Sequence, residues 1–76
     1  MKGEYIVFDN HGYTADRYFV IDVNNPEYGL ALSTNCNMPN GVSMWIENTG
    51  FPDGDLISPE TLPQHIKEHM EQRFKE

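Results

Sequence analysis

The chain has 76 residues, of which 38% are hydrophobic, 12% aromatic and 22% charged. A chain this short buries only about 60% of the surface its unfolded form exposes, which limits it to one domain spanning 1–76 with one modest core, and its aromatic content excludes the disordered class. Twelve Asp and Glu against five Lys and Arg give a formal charge of −7, which argues against nucleic acid and anionic membranes as direct partners, because binding to phosphate is driven by clustered Lys and Arg.

Taken in chain order, the first element is a strand over Glu4–Asp9, rich in β-branched and aromatic residues and broken by Asn10-His11-Gly12. Arg17–Val23 is the most pronounced strand, and Asn24-Asn25-Pro26 ends it. Tyr28–Ser33 reads as a shorter third strand and Val42–Glu47 as a fourth, with Asn40-Gly41 supplying the positive φ values of a turn. The segment Asn48–Asp55, dense in Gly, Pro and Asx residues, reads as a loop. Ser58 followed by Pro59 and Glu60 looks like a helix cap, and Pro63 moves the start of the main helix downstream. From there Leu62, Ile66, Met70 and Phe74 recur at four-residue spacing on one face. The expected fold is α+β, a four-stranded antiparallel meander with one C-terminal helix packed on one side.

Three constellations could carry chemistry. His65-Ile66-Lys67-Glu68-His69 has the H-x-x-E-H spacing that sets two histidines one helical turn apart for zinc. A third ligand would have to come from His11, Cys36 or an acidic loop, so the plainer reading is an amphipathic helix with half-exposed histidines. Asp53-Gly54-Asp55-Leu56 with Glu60 matches only the second half of a calcium loop, and a turn feeding a helix cap accounts for it better. Cys36 lies between Asn35 and Asn37 in a loop with no base or oxyanion donor identifiable beside it. The glycines are scattered singly at turns, so no phosphate loop is formed. No catalytic residue, cofactor or metal is therefore expected.

A single cysteine excludes an internal disulfide and points to a reducing, cytoplasmic setting. The apolar run Tyr5–Phe8, closed by Asp9, is too short for a signal-peptide core or a membrane span. Between residues 4 and 60 the acids Glu4, Asp9, Asp16, Asp22, Glu27, Glu47, Asp53, Asp55 and Glu60 face one base, Arg17. That imbalance favours a basic protein surface as partner, such as a nucleic-acid-handling protein. The favoured class is thus a small acidic inhibitor or adaptor, in the manner of compact counter-defence proteins of phages and mobile elements such as anti-CRISPR proteins. A homodimeric subunit and a small metal enzyme using His65 and His69 are the alternatives.

Alternation also makes both faces of the sheet apolar, since Tyr5 and Val7 oppose Ile6 and Phe8 while Tyr18 and Val20 oppose Phe19 and Ile21. One helix covers one face, leaving the other for a partner. Because tyrosine and tryptophan tolerate partial exposure, the outward face is expected to carry Tyr5, Tyr18 and Trp45, with Asp9, Asp16, Asp22, Glu27, Glu47, Asp53 and Asp55 as the acidic contact set.

Overall fold

A computed structural model describes residues 4–39, 41–50 and 54–75. The chain forms strands β1 (Tyr5–Asp9), β2 (Tyr18–Asp22), β3 (Tyr28–Leu32), β4 (Ser43–Glu47) and β5 (Asp55–Ile57), a 3-10 turn at Pro59–Thr61, and helix α1 (Gln64–Phe74). The α+β class and the consecutive antiparallel pairing of the first four strands follow the sequence expectation. The sheet has five strands in the order β4-β3-β2-β1-β5, not four. The added strand begins at Asp55, the last residue of the segment read as a loop, and pairs with β1 through Val7↔Ile57, Phe8↔Leu56 and Asp9↔Asp55. With only three residues it shows no periodicity, and Pro59 stops it from lengthening.

Ser58 does act as a cap, but of the 3-10 turn: its Oγ accepts from the Glu60 N–H at 3.3 Å. Pro63 then takes the N-cap position of α1. Ile66 and Met70 are fully buried, Leu62 is nearly so, and Phe74 is packed at the end of the same stripe. This stripe lies on Val7, Tyr18, Val20, Leu30 and Leu32. Cys36 joins that core from the β3–β4 loop; burial pushes its thiol up in pKa and outweighs the opposing backbone hydrogen bonds, so it is a core residue in place of an accessible loop thiol.

The helix therefore occupies the tyrosine-bearing face, and the expectation that this face points outward is overturned. Strand β3 supplies the physical reason. It presents Leu30 and Leu32 on one side and Gly29 and Ala31 on the other, so only the first side offers bulk for the helix to bury. On the opposite side the ring of Phe19 lies across Gly29, where an added Cβ would overlap it. Phe19, Ile21 and Ala31 form a second small cluster there, with Phe8 and Ile46 packed against it. Of the loop residues that could fold back over this side, Met38 is 59% exposed and Phe51 lies outside the described residues.

Candidate interaction surfaces

The register of the sheet assembles two different surfaces. On the side away from α1, the pairs Leu56↔Phe8, Phe8↔Phe19, Phe19↔Ala31 and Ala31↔Met44 make one row across all five strands. Ile6↔Ile21, Ile21↔Gly29 and Gly29↔Ile46 make the next row across β1 to β4. Every position in both rows is apolar or glycine. Phe19 and Ala31 fill the middle, while Ile6, Met44 and Leu56 at the margins are 37%, 46% and 69% exposed. Among the described residues no helix lies over this face.

On the α1 side, the end of the sheet near the helix C-terminus carries an alternating aromatic and acidic row. Tyr5 pairs with Asp22, and Tyr28 pairs with Glu47. Tyr28 stands one step beyond the Ile21↔Gly29 pair, which sets it beside Asp22. Phe74 closes the row from the helix, with its ring 4.9 Å from that of Tyr5 and 4.9 Å, edge-on, from that of Trp45. Arg73 reaches across β4: its Nη1 donates to the Ser43 carbonyl at 3.1 Å and to Ser43 Oγ at 2.8 Å, and its guanidinium lies 5.6 Å from the Trp45 ring centre. Asp22, Asn25, Tyr28, Trp45, Arg73 and Phe74 line a cleft of about 390 Å³. Burial raises the Tyr5 hydroxyl pKa, and the negative charges of Asp22 and Glu71 raise it further.

The opposite end of the sheet holds a polar knot. Asp9 and Asp55 face each other across β1 and β5, a like-charged pair. His11, held at φ 59 by the turn, places Nε2 2.8 Å from Asp55 Oδ2 and Nδ1 3.7 Å from Asp9 Oδ2. Arg17 Nε donates to Asp9 Oδ1 at 3.0 Å and the His11 backbone N–H donates to it at 2.7 Å. Burial pushes the Asp9 carboxyl up, but these hydrogen bonds and the charges of Arg17 and His11 outweigh it and hold the group below its ordinary value.

The sequence-predicted contact residues thus separate into groups. Trp45 and Asp22 line one cleft, with Tyr5 packed behind it. Tyr18, 5% exposed, belongs to the core beneath α1, where Arg17 lies 5.3 Å from its ring centre. Asp9 is turned to its own loop. Asp16, Glu27, Glu47 and Asp55 are at least partly exposed, and Asp53 lies outside the described residues. Sequence reasoning missed Tyr28, Arg73 and Asn10. Tyr28 was passed over because it begins a short strand, and Arg73 because its partner Ser43 is distant in the chain. Asn10 is buried and organises the β1–β2 loop by donating to Thr14 Oγ1 and the Asp16 carbonyl and accepting from the Gly12 N–H; its place after a strand in Asn-His-Gly was the available signal.

The first histidine of the H-x-x-E-H segment makes a contact within the fold. His65 Nε2 lies 2.8 Å from the Thr34 carbonyl, a contact that ties α1 to the β3–β4 loop. Among the described residues no group of three His, Cys, Asp or Glu is placed to hold a metal ion, and no helix is long and apolar enough to cross a membrane. Comparison with protein-family models, curated proteins and solved structures returns no match for this chain.

Proposed function

We propose that the chain is a small protein-binding module, an inhibitor or adaptor in kind, which docks through its open sheet face onto a partner carrying a basic surface. The observation that carries this reading is the pair of uninterrupted apolar rows across the sheet. Single exposed apolar side chains are ordinary, whereas a contiguous set spanning a sheet is characteristic of an interface. The net charge of −7 selects the partner. It steers a basic protein toward the molecule and opposes a second copy of the same acidic chain.

The margins of the face allow a test that spares the fold. Leu56→Ser and Met44→Ser alter exposed side chains on the two edge strands. With the tagged chain as bait in lysate of the cells that express it, the native protein is expected to retain a basic protein in a salt-sensitive manner, and both variants are expected to lose it. Retention that is indifferent to both substitutions would overturn the reading. Doubling of mass in purified protein, abolished by the same substitutions, would transfer the face to a homodimer.

A further inference from the structure

We infer that the cleft between the C-terminus of α1 and strands β2 to β4 is a receptor for a cationic side chain, the guanidinium of arginine or the ammonium of lysine, presented by a protein partner. This surface is distinct from the open sheet face and does not depend on it.

The argument begins with the walls. Tyr28, 55% exposed, stands between Asp22 and Glu47 in the cross-strand row. An aromatic face flanked by carboxylates attracts a cation through both the ring quadrupole and the charge. Trp45 and Phe74 continue the apolar surface, on which the alkyl stem of Lys or Arg can lie while its head remains polar. The helix end contributes in the same sense, because α1 terminates at Phe74 and the carbonyl end of a helix carries partial negative charge.

The one cation in the lining, Arg73, is directed away from this role. Its Nη1 is bound to Ser43 and its guanidinium rests on Trp45. It defines one wall; Asp22 in the lining offsets its charge, while Glu47, paired with Tyr28, and Glu71, which acts at Tyr5, add negative charge around the cleft. A volume of about 390 Å³ falls at the lower end of the range for small-ligand sites, enough for one side chain.

The chain has one tryptophan, and it lines this cleft, so its fluorescence reports occupancy directly. The probes are Nα-acetyl-arginine amide and Nα-acetyl-lysine amide, with the leucine and glutamate analogues as neutral and anionic controls and spermidine as a free polyamine, all at constant ionic strength. Saturable changes in Trp45 emission in the millimolar range are expected for the two cationic amino acids and not for the controls, with amide shifts at Asp22 and Tyr28. Asp22→Asn retains an Oδ1 to accept from the Asn24 N–H, a bond of 2.9 Å in the native turn, so the fold survives while affinity falls about tenfold. Tyr28→Leu keeps apolar bulk, removes the ring, and is expected to weaken binding as well. Thermal unfolding confirms that both variants are folded. Equal affinity in native protein and D22N, or saturation by the glutamate analogue, would overturn the proposal. Tighter binding of spermidine than of either amino acid would overturn the assignment to a protein side chain.

Discussion

At the scale of single residues, two positions fix features that composition does not show. Gly29 is required because the Phe19 ring lies across it, so Gly29→Ala inserts a methyl group into a filled space. The expected loss is about 1 to 3 kcal/mol in urea unfolding, as for other overpacking substitutions. Combining it with Phe19→Leu should recover part of the loss, which separates steric overlap from a general intolerance of side chains in β3. Asp9 supplies a pH-dependent contribution. Its folded pKa is depressed below the ordinary value of 3.8, so the stability it adds is complete above that value and disappears as pH falls through the lower folded value. Asp9→Asn is therefore expected to lower stability by about 1 to 3 kcal/mol at neutral pH. The gap between native and variant Tm should stay constant down to about pH 4 and close below it. A gap that stays open well below that pH would mean that the effect does not depend on the carboxylate's charge. Neither residue role was legible in the sequence. In sequence Gly29 is one more of the singly scattered glycines read as turn residues, and Asp9 counts as one more surface acid because its partners Arg17 and His11 lie across a turn whose shape depends on Asn10.

At the scale of elements, the first four strands and the helix were legible because each carries its own local signal: β-branched runs bounded by Asx, Gly and Pro, and apolar residues recurring every four positions. Strand β5 was not, since its three residues are specified by pairing with β1 and not by their own pattern. The choice of face was written in β3 but needed a comparison of size and not of polarity. Leu30 and Leu32 against Gly29 and Ala31 decide where α1 lies, although all four count as compatible with an interior. Reading exposure from tyrosine and tryptophan content gave the opposite answer. Ile66, fully buried at the centre of the helix interface, anchors the arrangement. Ile66→Ala is expected to cost about 2 to 5 kcal/mol, a large share of the stability of so small a domain. Phe74→Ala, at the half-exposed end of the stripe, should cost less while changing Trp45 fluorescence in the folded state, because the two rings touch. Near-equal losses would mean that the helix end is as firmly held as its middle.

At the scale of the whole molecule, apolar surface and charge are segregated, and this divides their effects on binding. Asp16, Glu27, Glu47 and Asp55 stand in loops or at strand ends on the rim, whereas the paired rows of the open face contain no charged residue. In a molecule with extents of 29 × 26 × 22 Å, the rim acids act on an approaching partner across a distance comparable to the Debye length of about 8 Å at physiological salt. They bias the encounter more than they hold the complex. Substituting Glu27 and Glu47 together by Lys changes exposed side chains and should leave folding intact, while slowing association with a basic partner by about tenfold at low salt and leaving dissociation nearly unchanged. Leu56→Ser and Met44→Ser should do the reverse, since differences in buried contact appear mainly as faster dissociation. Stopped-flow kinetics with the captured partner at two ionic strengths resolves the two effects. If charge reversal accelerates dissociation and spares association, the acids are contact residues inside the interface and the apolar rows are not its centre. If neither set changes either rate, the partner docks elsewhere on the molecule.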